Sequence, residues 1–378
     1  MIPYGRQDIT KDDIESVNEV LESDFLTQGP TIPRFERKLC QFTGANHSVV
    51  LNSCTSALHL SCLALGLGPG DILWTSPITF VASANCAFYC GATVDFVDIE
   101  PSTGLMSVER LKEKLIKSEK EGKLPKIIIP VHLAGQPCDM EEIYLLGKQY
   151  GFNIIEDAAH AIGAEYKGNS VGNCRYSDIT VFSFHPVKIV TTGEGGAALT
   201  NNTELANRMK LLRSHGITRN QDEMMKISKE SWYYEQVDLG YNYRMTDIQA
   251  ALGITQLNKI DKYLNKRINI SKHYSRSLNL DKVAPLEQKN DRRSSWHLYI
   301  IRIKDGRDER NRLYSVLNES DIGVNVHYIP LYKHPYINFE GFLEGAEKYY
   351  DSALTIPLFP GISPEDVDYI SNLINSNL

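Results

Sequence analysis

Phe152-Asn153-Ile154-Ile155-Glu156-Asp157-Ala158-Ala159-His160 reads as a short buried strand that ends on an aspartate and a histidine. Its apolar entry is too short for a helix and follows a helical pattern over 140–150, which favours a strand covered on both faces. Outward from it the same kind of run recurs at 48–51, 72–74, 93–97, 126–131, 179–182 and 197–199. Segments with helical spacing fall between them at 80–90, 107–118 and 140–150. Short strands alternating with helices predict βαβ units and a mostly parallel sheet.

Toward the N-terminus, Thr10 before Lys11-Asp12-Asp13 predicts a capped helix, with Ile14, Val17 and Leu21 as its apolar stripe. Beyond residue 246 the pattern changes to helices at 246–259 and 262–278, a strand at 298–303, and helices near 308–318 and 363–375. Ser363-Pro364-Glu365-Asp366 opens the last helix with a cap, a first-turn proline and acids at the positive dipole end. A chain of 378 residues exceeds what one core normally supports. The expected organisation is α/β, with a large domain over 1–250 and a smaller α+β domain over 251–378.

Composition narrows the function. A net charge of −7 argues against a nucleic-acid partner. No apolar run approaches the roughly 18–20 residues that span a bilayer. Met1-Ile2-Pro3-Tyr4-Gly5-Arg6 lacks the apolar core of a signal peptide, and the seven cysteines form no C-x-x-C pair, so a cytoplasmic protein with reduced thiols is expected. Gly66-x-Gly68-x-Gly70 follows a helix, where a dinucleotide fingerprint would follow a strand; it reads as a terminator. His132, His160 and His185 lie near strand ends without ligand spacing, so no metal is expected.

Ligands of open α/β sheets bind beyond the carboxyl ends of the strands. Asn52-Ser53-Cys54-Thr55-Ser56 follows one strand and opens a helix, which makes its N–H groups and hydroxyls a phosphate cradle. Asp157 ends another strand. Ser183-Phe184-His185-Pro186-Val187-Lys188 brings a lysine to the same edge, and Gly195-Gly196 in Thr191-Thr192-Gly193-Glu194-Gly195-Gly196 admits close backbone approach. Each residue alone has an ordinary reading: a capping aspartate, a surface lysine, a core Phe80. Together they are the parts that pyridoxal 5'-phosphate needs, a lysine for the Schiff base and a carboxylate for the pyridine nitrogen.

These motifs, in this order and followed by Gly240-Tyr241-Asn242-Tyr243-Arg244-Met245-Thr246-Asp247, resemble the DegT/StrS sugar-nucleotide aminotransferases. The resemblance runs from Phe25-Leu26-Thr27-Gln28-Gly29-Pro30 to Val326-His327-Tyr328-Ile329-Pro330. It implies a fold-type I transferase dependent on pyridoxal phosphate, working as a homodimer with shared active sites. By position it implies Lys188 as the Schiff-base lysine, Asp157 as the pyridinium partner and His160 at the ring hydroxyl. Phe80 and Ala159 would cover the two ring faces. Thr55, Ser56 and Ser183 would hold the phosphate, and Asn242 would reach the partner subunit's phosphate. Lysine at 188, where a related dehydratase subgroup carries histidine, favours amino transfer.

Within the family, Ser23-Asp24-Phe25-Leu26-Thr27-Gln28-Gly29-Pro30 and Val326-His327-Tyr328 look most like a branch of the pseudaminic acid pathway. That branch implies amination of C4 of a UDP-linked 4-keto-6-deoxy-N-acetylhexosamine, with L-glutamate as donor. Tyr4, Thr27, Gln28, His327 and Tyr328 are the expected substrate contacts. A dTDP-linked sugar, amination at C3 and a non-catalytic regulator that binds pyridoxal phosphate are the alternatives. Arg6, Arg213 and Lys333 are candidate cations for a diphosphate.

Overall fold

The computed structural model describes residues 1–226, 228 and 230–378. Seven strands form its central sheet: β1 (His47–Leu51), β2 (Ile72–Thr75), β3 (Thr93–Phe96), β4 (Ile127–Ile129), β5 (Asn153–Asp157), β6 (Ile179–Ser183) and β7 (Gly196–Thr200). Their spatial order is β1-β7-β6-β5-β4-β2-β3. From β3 to β6 every neighbouring pair is parallel. β7 runs antiparallel to both β6 and β1. All strands but β7 therefore end at one edge of the sheet, and β7 begins there. Its first residue, Gly196, stands opposite Leu51 on one side and Ser183 on the other. A Cβ at Gly196 would lie 2.5 Å from the Cys54 nitrogen, so only glycine lets the chain leaving β1 cross here.

Alternation within the strands divides the core. Ile127, Ile129, Ile155 and Val181 face α3 (Cys54–Ala64), α4 (Ala82–Tyr89) and α7 (Thr203–Arg213), all within one apolar cluster. Ile128 and Ile154 point the other way, onto α5 (Val108–Glu121) and α6 (Met140–Tyr150). On that second face, Val50 and Phe182 pack against α2 (Thr31–Thr43) and α8 (Asp247–Asn258). Runs buried on both faces are what parallel strands under two helical layers require.

Helix α1 (Lys11–Leu21) corrects the expected stripe: Ile14 and Leu21 are exposed, whereas Asp13 and Val20 are buried. The reason is polar. Asp13 accepts from the Thr10 N–H at 2.8 Å, from Thr255 Oγ1 at 2.6 Å and from Gln256 Nε2 at 3.0 Å, and it pairs with Lys259. These bonds dock α1 on α8 through its acid.

The C-terminal part adds an antiparallel sheet, β8 (Val283–Pro285), β9 (Tyr299–Ile303) and β10 (Ala353–Ile356), in that order. Tyr274 of α9 (Ile260–Ser277), Leu313 of α10 (Arg307–Glu319) and Ile370 of α12 (Pro364–Asn377) cover it in a separate apolar cluster. Strand β10 and the helix before it, α11 (Glu344–Ser352), escaped the sequence reading. The expected division at residue 250 falls inside α8; we propose placing it at the α8–α9 junction, because α8 packs on α1 and α2 while α9 packs on α12. Connections between the parts include a bridge, a hydrogen bond and a strand pairing. Ile2 bridges Ile322, the Leu358 N–H donates to the Tyr4 carbonyl at 3.0 Å, and residues 292–293 pair with 165–166. Among the described residues no helix is long and apolar enough to cross a membrane.

Candidate active site

A cavity of about 480 Å³ opens where β1, β2, β4, β5 and β6 end. Asp157 reaches it as the last residue of β5. Its N–H donates to the Pro130 carbonyl and its own carbonyl accepts from the His132 N–H, both at 3.0 Å. The carboxylate is held as firmly: Oδ2 accepts from Ser83 Oγ at 2.6 Å and Oδ1 from the Ala159 N–H at 3.1 Å. Lys188 arrives from the loop after β6. That loop is pinned by Phe184 N–H to the Gly195 carbonyl (2.9 Å), Thr192 N–H to the Phe184 carbonyl (3.0 Å) and Lys188 N–H to the His185 carbonyl (2.9 Å). Lys188 is half-buried and lines the cavity. Burial pulls its ammonium down to about 8, against the opposing charge of Asp157.

The start of α3 forms the next wall. Ser53 caps the helix by accepting from the Ser56 N–H at 3.0 Å, which leaves the first helical N–H groups directed at the cavity end. Ser53, Cys54 and Thr55 line the cavity. Ser56 does not. Its hydroxyl turns back to Asn52 Oδ1 at 2.6 Å.

The opposite wall is assembled from distant segments: Tyr4, His160, His297, Asn325, His327 and Tyr328. His160 Nδ1 accepts from the Ala134 N–H at 3.2 Å, so the ring proton sits on Nε2, 3.2 Å from the Tyr328 hydroxyl. Ser295 Oγ fixes the His160 carbonyl at 2.8 Å. Burial, reinforced by the charge of Lys188, holds His160 and His297 far below the usual imidazole range and His327 down to about 3. Three neutral imidazoles therefore face the space. His297 Nδ1 is buried without a partner, while His327 Nδ1 meets Thr355 Oγ1 at 2.8 Å.

Of the residues expected from the sequence, Lys188, Asp157, Thr55, Phe80, Ala159, His160 and Ser183 share this cavity with Tyr4, His327 and Tyr328. Thr27, Gln28 and Asn242 lie elsewhere, exposed, on adjoining segments where Thr27 bridges Thr246 and Asn242 bridges Ser214. The sequence reading missed Thr79, Ser83, His297 and Asn325. The Thr79–Ser83 spacing of one helical turn was the available signal for the first two; His297 and Asn325 sit in no motif. Two of the candidate cations are engaged within the chain: Arg213 with Glu36 and Lys333 with Glu347, each at 2.8 Å. Arg6 lines a separate groove. Among the described residues no group of three His, Cys, Asp or Glu side chains can hold a metal ion, and His132 is taken by Glu156 at 2.8 Å.

Residues 7–375 match the model of the DegT/DnrJ/EryC1/StrS aminotransferase family. The chain is 38% identical to the UDP-4-amino-4,6-dideoxy-N-acetyl-beta-L-altrosamine transaminase of Campylobacter jejuni, covering 100% of this chain and 98% of that protein. Its structure resembles Helicobacter pylori PseC, an aminotransferase involved in the biosynthesis of pseudoaminic acid, with a TM-score of 0.91, 32% identity and coverage of 100% and 98%. It also resembles the PMP form of the putative sugar aminotransferase Spr1654 of Streptococcus pneumoniae, with a TM-score of 0.90, 33% identity and coverage of 100% and 99%. With a lysine and an aspartate on one cavity at the edge of this sheet, and a match over residues 7–375, the chain is a sugar aminotransferase belonging to the DegT/DnrJ/EryC1/StrS family.

Proposed function

We propose that this protein transfers the amino group of L-glutamate to C4 of a UDP-linked 4-keto-6-deoxy-N-acetylhexosamine, in two half-reactions, in the cytoplasm and as a homodimer. The convergence of Lys188, Asp157 and the α3 N-terminus on one cavity carries the amino-transfer part of this reading, and the likeness to the Campylobacter jejuni transaminase supports the choice of sugar. Pyridoxal 5'-phosphate fits the residues present. The first turn of α3, with Ser53, Cys54 and Thr55 on the cavity wall, suits a phosphate, and the Lys188 amine and the Asp157 carboxylate line the same cavity. When bound, the cofactor supplies the aldehyde that exchanges with the amino group and a ring that accepts electrons from the adjacent carbon.

The chain supplies the rest. Thr55, Ser183 and the α3 N–H groups would hold the phosphate, and Phe80 and Ala159 would flank the ring. His160, with its proton on Nε2, would be the donor for the ring oxygen. Asp157 would accept from the ring N–H. Lys188 would hold the aldehyde, and its amine, which burial pulls down to about 8, is suited to release and retake a proton near neutral pH. The wall of Tyr4, His327 and Tyr328 offers hydroxyl and imidazole groups without charge, which suits a sugar bearing hydroxyl and acetamido groups. Thr27, Gln28 and Asn242 would act on the partner's cavity; exposed Phe25 and Leu26 beside the first two, and Leu239 near the third, support a buried interface there.

A second sugar class is kept for one reason: among the described residues no Lys or Arg other than Lys188 lines the cavity, so no described cation there distinguishes one nucleotide from another. Purified protein with pyridoxal phosphate and L-glutamate, offered UDP- and dTDP-linked 4-keto and 3-keto sugars, tests the reading. A 4-amino UDP-sugar as the preferred product is expected. Preference for a dTDP sugar or for C3 would replace the substrate named here.

A further inference from the structure

We propose that Thr79 and Ser83 form a directed hydrogen-bond chain that orients the Asp157 carboxylate toward the cofactor, making Ser83 a positioning residue; this rests on the function proposed above. Ser83 Oγ lies 2.6 Å from Asp157 Oδ2, and Thr79 Oγ1 lies 2.8 Å from Ser83 Oγ. All three side chains are withdrawn from solvent, at 0% exposure for Ser83, 2% for Thr79 and 5% for Asp157, so water does not compete for these bonds.

The direction follows from proton counting. An ionised carboxylate only accepts, and a serine hydroxyl has one proton to give. Ser83 gives that proton to Asp157 and must therefore accept from Thr79. The chain runs Thr79 to Ser83 to Asp157. Because Oδ1 is occupied by the Ala159 N–H at 3.1 Å, each carboxylate oxygen has one protein donor, and rotation of the group breaks at least one bond.

The helix itself shows that this hydroxyl serves Asp157. Ser83 stands in the first turn of α4, where a serine commonly satisfies its own helix end, yet α4 begins after Val81 with no side-chain cap. Its buried neighbours Ala82, Ala84, Cys86 and Ala87 carry no hydroxyl. A hydroxyl buried in such a helix is costly unless bonded, and its bonds lead to Asp157 and back to Thr79. Thr79 adjoins Phe80, so one short chain links the loop bearing the ring platform to the carboxylate that meets the ring edge.

Three quantities test this: the affinity of the apoprotein for pyridoxal phosphate, the pH midpoint of the bound cofactor's visible band, and the unfolding midpoint of the apoprotein. Ser83→Ala is expected to weaken cofactor binding roughly tenfold, the scale of one lost bond to a charged group. It should also move the band's midpoint upward, because a ring nitrogen that keeps its proton less well no longer disfavours a second positive charge nearby. Ser83→Thr restores both, and Thr79→Val, which keeps the volume, shifts both in the same direction by less. Unchanged affinity and midpoint in Ser83→Ala would overturn the proposal. So would losses that follow the apoprotein's unfolding midpoint and are not restored by threonine, since these mark a packing role. Wild-type protein that forms no band with pyridoxal phosphate would instead strike the functional reading on which the proposal stands.

Discussion

The two walls of the cavity are built in different ways. The sheet wall, with Asp157, Ser183, Lys188 and the α3 start, comes from strand ends and the turns that follow them, each braced by neighbouring main chain. The histidine wall joins Tyr4 to residues 297–328, and long-range links bring its members together, among them the Ile2–Ile322 bridge, the Leu358 bond to the Tyr4 carbonyl and the Ser295 bond to the His160 carbonyl. The first wall holds the groups that chemistry on any amino compound would need. The second holds neutral polar groups suited to telling one sugar from another. Chemistry thus rests on local, rigid geometry and selection on long-range assembly, so changes to the two walls should separate in kinetics.

Lys188→Ala should have the largest effect, a loss of roughly a thousandfold in amino transfer with an unchanged unfolding midpoint, measured by product formation from L-glutamate. Near wild-type turnover would break the assignment of chemistry to the sheet wall. Next comes pH. Burial disfavours the Lys188 ammonium and lowers it to about 8, and only the neutral amine attacks an aldehyde. Attachment of pyridoxal phosphate to the apoprotein should accordingly quicken about tenfold per pH unit up to about 8 and then level off. A rate that keeps climbing toward 10 would mean a solvated lysine.

Gly196→Ala sharpens the same wall, since its Cβ would lie 2.5 Å from the Cys54 nitrogen. About 1–3 kcal/mol of stability should be lost in denaturant unfolding, with weaker cofactor binding as α3 shifts. His327→Phe probes the other wall and should have the smallest effect: KM for the keto sugar rising about tenfold with the L-glutamate half-reaction intact. An equal loss in both halves would erase the distinction between the walls.

The difference in construction also explains what the sequence made legible. Asp157 and Lys188 were readable because a strand, its turn and its reactive residue are contiguous. His297 and Asn325 were not, because neither stands in a local pattern and only tertiary folding brings them to His160. Ser83 looked like any small helical residue until β5 was placed beside α4. The stripe read on α1 failed for a related reason: hydrophobic spacing identifies a buried face only when packing is apolar, and α1 docks through Asp13 on Thr255, Gln256 and Lys259.

Reductive trapping with peptide mapping tests the central claim most directly. Protein loaded with pyridoxal phosphate is treated with borohydride, either directly or after incubation with L-glutamate, and the modified residue is located by mass. Modification of Lys188 alone, abolished by prior L-glutamate, is the expected result. A label on another lysine, or one on Lys188 that L-glutamate leaves in place, would contradict the account.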